Sequence, residues 1–267
     1  PEMSRGLGDV YKRQDLCRAI KKELPEIHIH AFSPEEILYG SKLSNNKVHD
    51  YLGMLKEAGL GSLPGTSAEI LVKEIRDKIS PGRISIEQWI DIISTAHKLD
   101  IPTTSTIMYG HIESSSDIVS HLEIIRNIQR QTGKFTEFVP LSYVHYDAPM
   151  SNHHLVKDIR PGADGLEILK IHAISRIFFN NLINNLQVSW VKEGPKLSQI
   201  LLGVGANDLG GCLINESIST SAGSQYGQFM RPVDMRKIIK AAGKIPAQRT
   251  SRYEIIKDFK TNEEIES

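Results

Sequence analysis

Residues 28 to 37 read "HIHAFSPEEI". Side chains on a strand alternate with period two, so His28 and His30 share one face. Such a pair can hold a metal through neutral imidazole nitrogens, line a polar substrate cavity beside Ser33, or lie hydrogen-bonded in an interior. "PGTSAEIL" (64 to 71) sets a Pro-Gly turn ahead of Glu69, which the pattern places in the first turn of a helix. Glu69 there either complements the helix dipole, worth about 0.3 to 1 kcal/mol, or accepts hydrogen bonds from a ligand's amine or ribose. In "TSTIMYGHIE" (104 to 113), Thr106 and Met108 alternate onto one strand face, Gly110 lets backbone approach a ligand, and His111 and Glu113 follow on a loop. "GVGANDLGG" (203 to 211) surrounds Asn207 and Asp208 with glycines. It lacks the G-x-G-x-x-G context of a dinucleotide fold. Its amide and carboxylate either cap a plain loop or hold a polar heterocycle or an amino acid.

The elements that must position these residues alternate. "IHIHAFS" reads as a strand, and Val48, Leu52 and Leu55 mark a helix stopped by Gly59. "LGSLPG" is a short strand and turn, "SAEILVKEIRDKI" a helix. "SIEQWIDIISTAHKL" is a helix with a capping box at Ser85 and Gln88 and a core stripe of Trp89, Ile92, Ile93 and Ala96. "TTSTIMYG" is a strand after Pro102, and Ile118, Leu122 and Ile125 mark the next helix. "TEFVPLSYV" is a strand, 142 to 162 a loop, "LEILKIHAISRIFFNNLI" a helix, "LQVSW" a strand and "KLSQILLGV" a helix. Strands alternating with helices imply an α/β fold with a parallel sheet and helices outside. About six such units fit, where a (β/α)8 barrel needs eight, so a TIM-type barrel lacking its first one or two units is expected. In a barrel the active site lies at the C-terminal mouth, which gives weight to polar residues at strand ends. Residues 1 to 14 show neither period and are expected to be a non-native or disordered leader. Residues 15 to 252 should then form the partial barrel with a C-terminal helical region, and 253 to 267 a flexible tail.

At 267 residues and 40% hydrophobic, the chain can fill one large core. Its 32 basic and 32 acidic residues cancel, so nothing favours nucleic acid or an anionic membrane, and small polar ligands are the natural partners. Cys17 and Cys212 are far apart and lack C-x-x-C spacing, which points to a reducing cytoplasm and to no cysteine metal site within this chain. No apolar run approaches the roughly 20 residues that span a bilayer.

Five ordered strings, "HIHAFSPEEI", "LGSLPGTSAEIL", "IPTTSTIMYGHIE", "FTEFVPLSYVHYDAP" and "GANDLGGCLINESISTSAG", resemble the second-subunit family of FO synthase from about Asp15 to about Arg252. The resemblance implies a radical S-adenosylmethionine enzyme of deazaflavin coenzyme biosynthesis on a radical SAM barrel. In such enzymes a 4Fe-4S cluster reduces S-adenosylmethionine, the resulting radical takes hydrogen from L-tyrosine, and the 4-hydroxybenzyl unit joins 5-amino-6-(D-ribitylamino)uracil. The first FO synthase subunit then closes the ring. Carried over by motif, Glu69, Thr106, Met108 and Gly110 fall near S-adenosylmethionine. His30, Ser33, Asn207 and Asp208 fall near the substrates, and His111 and Glu113, on the loop after their strand, are expected to join them in binding substrate. The family's cluster motif, C-x-x-x-C-x-x-C, does not occur in this chain, so the chain by itself is expected to be inactive. Gly61 stands where the family usually has Asp, and Tyr226 where it usually has His.

The menaquinone-pathway radical enzymes are similar in the same places, although Thr66 and "HAFSP" favour FO synthase. From another class, a metal-dependent barrel amidohydrolase would use His28, His30, His111, His145 and Asp208 as ligands. It leaves Glu69 and the glycine-rich turns unexplained. A catalytically dead binding scaffold is a third possibility.

Overall fold

A computed structural model describes residues 10–153 and 155–266. In chain order its elements are α1 (Val10–Glu23), β1 (Ile29–His30), α2 (Pro34–Leu43), α3 (Val48–Glu57), β2 (Leu60–Ser62), α4 (Lys73–Ile79), α5 (Ile86–Lys98) and β3 (Thr103–Tyr109). They continue with α6 (Ser115–Thr132), β4 (Phe135–Ser142), α7 (Pro149–Asn152), α8 (Gly165–Phe178), α9 (Trp190–Leu201), α10 (Ile218–Ser221), α11 (Pro232–Ala241), β5 (Ala247–Arg249), β6 (Ile255–Asp258) and α12 (Asn262–Glu266).

Local chemistry starts the long helices. Ser33, Ser85, Ser114 and Asp164 each close a capping box, with Glu36, Gln88, Asp117 and Glu167 as the reciprocal partners. Each box satisfies two backbone N–H groups that a helix start would otherwise leave open. Gly133 ends α6 in the left-handed region at φ 64°, where a side chain would be strained.

The strands pair in parallel and in chain order. β1 pairs with β2, Leu63 bridges to Thr103, β3 pairs with β4, Phe138 bridges to Leu186, and Gln187 bridges to Asp208. Parallel neighbours need long crossovers, and helices supply them here. The chain is therefore a mixed α/β protein whose parallel run does not close among the described residues. On the helix side Phe138 meets the rings of Phe179 and His121. By alternation Thr104, Thr106 and Met108 of β3 and Glu137, Val139 and Leu141 of β4 share the opposite, open face. The antiparallel hairpin β5–β6 returns to that face through Arg249 and Tyr253.

Several elements differ from the sequence expectation. The first strand shrinks to Ile29–His30, because Phe32 turns to φ 65° and Ser33 already caps α2. The helix expected from Ser67 begins at Lys73, so Glu69 lies in a loop and not in a helical turn. The strand "LQVSW" contributes only the bridges at Leu186 and Gln187. α9 starts at Trp190 and breaks at Gly194, φ 75°, before Pro195. Of the expected leader, residues 1–9 lie outside the described residues. Residues 10–14 belong to α1, where Arg13 is buried and donates to the Glu36 carbonyl at 2.7 Å. Residues 253–266, expected as a flexible tail, include β6 and α12, with Phe259 and Ile265 buried.

Candidate functional site

Glu69 is presented by a loop that distant groups hold in place. Gly65 is clamped against β3: its N–H donates to Thr104 Oγ1 at 2.8 Å, and Thr106 Oγ1 donates to its carbonyl at 3.0 Å. A Cβ at position 65 would run into the Thr104 carbonyl, so only glycine fits. Trp89 Nε1 donates to the Thr66 carbonyl at 3.1 Å. The buried Arg76 guanidinium donates to the carbonyls of Ser67, Ala68 and Ile84, and Leu71 N–H donates to His121 Nδ1 at 3.0 Å. Burial pushes the His121 pKa down to about 3, keeping the ring neutral and able to accept that bond. Ser67 and Glu69 both sit at positive φ, 61° and 47°, a conformation that costs non-glycine residues roughly 1 kcal/mol or more each.

Within this frame the Glu69 backbone carbonyl accepts from Met108 N–H at 2.7 Å, which ties the loop to the end of β3. Its carboxylate has no hydrogen-bond partner among the described residues. Burial pushes its pKa up, against the weaker pull of Arg76, Arg83 and Lys192. A half-buried carboxylate with no protein donor is open to a ligand, and a ligand ammonium would complete it.

His28 and His30 do face the same way. Their rings meet one hydroxyl: Ser62 Oγ lies 2.7 Å from His28 Nε2 and 2.6 Å from His30 Nδ1. His30 is exposed on the open face, yet surrounding protein and the neighbouring His28 push its pKa down. The His28 ring lies over Gly61, where any Cβ would collide with it, so the departure at Gly61 and the position of His28 go together. Ser33 is committed to capping α2: its hydroxyl accepts from Glu36 N–H and donates to Glu36 Oε2.

Gly110, His111 and Glu113 form a closed knot at the end of β3. Glu113 accepts from Gly110 N–H at 2.6 Å, His111 N–H at 2.9 Å and Arg160 Nη2 at 2.9 Å. His111 is fully buried, with Nε2 3.1 Å from the Met108 carbonyl and Nδ1 accepting from Ile112 N–H at 2.8 Å. Gly110, at φ 89°, packs so closely that a Cβ would lie 2.5 Å from Ala163 N. These groups shape the strand end and expose no free donor.

Asn207 and Asp208 point to different places. Asn207 Oδ1 accepts from Leu186 N–H at 2.8 Å and Arg176 Nη2 at 2.7 Å, locking the last bridge. Asp208 takes both arms of Arg249 and the Gly210 N–H at 2.6 Å. Beside it Glu137 accepts from Tyr253 Oη and from Gln187 Nε2 at 2.6 Å. Burial pushes the Glu137 pKa up. Asp208, Arg249 and Tyr253 line a cavity of about 1160 Å³ between the last bridge and the C-terminal hairpin.

The five ligands of the hydrolase alternative do not converge. Two share Ser62, His111 is bound to β3, and Asp208 is paired with Arg249. Sequence reasoning missed Arg76, Arg249 and Tyr253, whose partners are distant in sequence. It also missed Lys192 and Glu193, although "SWVKEG" does place two charges at a strand end just before a glycine.

Residues 132–262 match the family described as "CofH/MqnC C-terminal region". A curated relative from Methanothermobacter thermautotrophicus is 47% identical over 250 residues, covering 94% of this chain and 67% of the relative. Relatives from Methanococcus maripaludis and Methanocaldococcus jannaschii are each 48% identical over 251 residues, covering 93% of this chain and 69% of each relative. All three carry the name 5-amino-6-(D-ribitylamino)uracil–L-tyrosine 4-hydroxyphenyl transferase.

Proposed function

The chain belongs to the CofH/MqnC family, and from that premise we propose that it serves the transfer of the 4-hydroxybenzyl group of L-tyrosine to 5-amino-6-(D-ribitylamino)uracil in deazaflavin (FO) biosynthesis. One observation carries this: near-half identity along almost the whole chain to relatives that share that single name. The family description also covers the menaquinone-pathway enzymes, but the relatives' names favour the tyrosine transferase. We read the parallel run as part of a TIM-type radical SAM barrel, with its open face as the reaction chamber. The first FO synthase subunit is the proposed consumer of the product, and the cytoplasm the proposed location. Among the described residues no helix is long and apolar enough to cross a membrane.

The residues present fit S-adenosylmethionine, which in this family supplies the radical chemistry. Glu69 offers a half-buried carboxylate without a protein donor, suited to the α-ammonium of the methionyl end. Thr106 and Met108 line the adjoining face of β3, and Gly110 lets backbone come close. Arg76, Trp89 and His121 act by fixing the Glu69 loop before ligand arrives, so little ordering cost remains at binding. His30, sharing Ser62 with His28, is the polar group of the substrate set that remains open to the face. Ser33, His111, Glu113, Asn207 and Asp208 shape the walls through the bonds described above.

The residues present do not fit a 4Fe-4S cluster. Such a cluster is held by cysteine thiolates, and the chain has two cysteines. Cys17 is buried in α1, where burial pushes its thiol pKa up, and Cys212 Sγ lies 3.7 Å from Met235 Sδ.

A thermal-shift series tests the assignment. L-Tyrosine, 5-amino-6-(D-ribitylamino)uracil and S-adenosylmethionine should each raise the melting temperature in proportion to ln(1 + [L]/Kd). A chain stabilised by none of the three at millimolar concentration would remove it from this reaction.

A further inference from the structure

A second, smaller cavity of about 220 Å³ lies where the ends of β4 and α9 meet the 223–226 loop. Ser142, Tyr143, His145, Lys192, Glu193 and Tyr226 are among its walls. Two charged groups there keep open positions. Glu193 is 5% exposed; Ser142 hydrogen-bonds its carboxylate, while Oε1 is buried without a hydrogen bond. The Lys192 ammonium is engaged in no ion pair among the described residues. It feels only the fields of Glu193, Glu216 and Glu69. The Tyr109 hydroxyl, close enough to feel the Glu193 charge, is also buried without a partner.

Backbone geometry explains why the cation and the anion do not neutralise each other. Adjacent helical residues point about 100° apart, and the Gly194 break, with Tyr226 packed over its Cα, fixes both at the start of α9. Buried polar groups left open in a cavity mark a site that a complementary ligand completes. A cation in no ion pair and a carboxylate with one open oxygen, bordering one small space lined by tyrosine rings, match one ligand class, an aromatic α-amino acid in its zwitterionic form.

We propose that this cavity is the amino-acid subsite, with the α-carboxylate on Lys192, the α-ammonium on Glu193, and the aromatic side chain against Tyr143 and Tyr226. This deepens the proposed function and rests on it for the identity of the amino acid. The methionyl end of S-adenosylmethionine is also a zwitterion, and Glu69 is its assigned partner.

Equilibrium dialysis of the full chain against L-tyrosine, tyramine and 3-(4-hydroxyphenyl)propanoate separates the contacts, with wild type, Lys192→Met and Glu193→Gln. On wild type, tyramine and the propanoate should each bind at least tenfold more weakly than L-tyrosine. Lys192→Met should abolish the preference over tyramine, and Glu193→Gln the preference over the propanoate. S-Adenosylmethionine affinity should fall in Glu69→Gln and hold in the other two variants. Because the analogue comparison needs no mutation, a variant that misfolds does not protect the proposal. L-Tyrosine bound with no preference over its analogues would overturn the subsite and leave the function standing. L-Phenylalanine bound in place of L-tyrosine, with the same dependence on Lys192 and Glu193, would support the subsite and remove the tyrosine reaction. Failure of the folded chain to bind either amino acid, or loss of S-adenosylmethionine affinity alone in the two variants, would also overturn it.

Discussion

Replacing Arg76 by Met should disarm Glu69 without touching it. Arg76 is 5% exposed and donates to three carbonyls, those of Ser67, Ala68 and Ile84, which would be left without donors. A hydrogen bond from a charged donor contributes about 1.5 to 3 kcal/mol. Burying the guanidinium costs part of that, so about 1 kcal/mol per bond, or about 3 kcal/mol in all, is the expected loss of stability. For a chain of this size that lowers the melting temperature by about 6 to 12 °C. The same bonds hold Ser67 and Glu69 at positive φ, a conformation that together costs roughly 2 kcal/mol. Once released, the loop relaxes, and roughly 2 kcal/mol must be restored on binding, a roughly 30-fold loss of S-adenosylmethionine affinity. Calorimetry at 10 °C, where the variant stays folded, reads this directly. Glu69→Gln gives the contrast: a comparable loss of affinity, about 1.5 to 3 kcal/mol, with no loss of stability because the half-buried carboxylate makes no hydrogen bond within the protein that Gln would forfeit. If Arg76→Met melts early yet binds S-adenosylmethionine as wild type does, the loop is not held in a binding shape by Arg76.

Asp208→Asn should release the C-terminal hairpin. Its pair with Arg249 is nearly buried on the carboxylate side and about a fifth exposed on the other, so a loss of about 2 kcal/mol is expected, below the value for a fully buried pair. Amide exchange across residues 247–258 should quicken accordingly, and unchanged protection there would return Asp208 to the list of groups free for substrate. His121 sets an acid limit. Its folded pKa of about 3 lies below the ordinary 6.5, so the unfolded chain binds the extra proton, and the stability it contributes is complete above 6.5 and lost as pH falls toward 3. Between pH 7.5 and 5 this amounts to about 2 kcal/mol. His121→Leu should therefore lose less stability than wild type over that interval in urea melts, and equal slopes would contradict a buried neutral ring. Gly65→Ala should cost about 3 kcal/mol or more, because its Cβ meets backbone that cannot move aside. A urea midpoint within error of wild type would show that the turn has room.

Where a signal is local, the sequence carried it. Ser85 and Gln88 cap α5, and Trp89, Ile92, Ile93 and Ala96 are buried together. "SPEE" at Ser33 is the same kind of signal, and there the hydroxyl is used by Glu36. Glu69 was misplaced because "SAEILVKEI" has helical periodicity, whereas its conformation is set by contacts from β3, Trp89 and His121 that no local pattern reports. The pairings of Asp208 and Glu113 are hidden for the same reason. Their partners, Arg249 and Arg160, lie 41 and 47 residues away. Lys192 and Glu193 fall between the expected strand "LQVSW" and the expected helix "KLSQILLGV", where no strand or helix pattern marks them. Only the break at Gly194 and the loop carrying Tyr226 turn that stretch into the wall of a cavity.

One chain should bring L-tyrosine and 5-amino-6-(D-ribitylamino)uracil together. A calorimetric titration of the uracil into the chain already saturated with L-tyrosine tests it most directly. The expected result is one uracil per chain, bound at least as tightly as in the absence of tyrosine, with tyrosine still bound. Displacement of tyrosine by the uracil, or no heat of binding at all, would contradict a common reaction chamber.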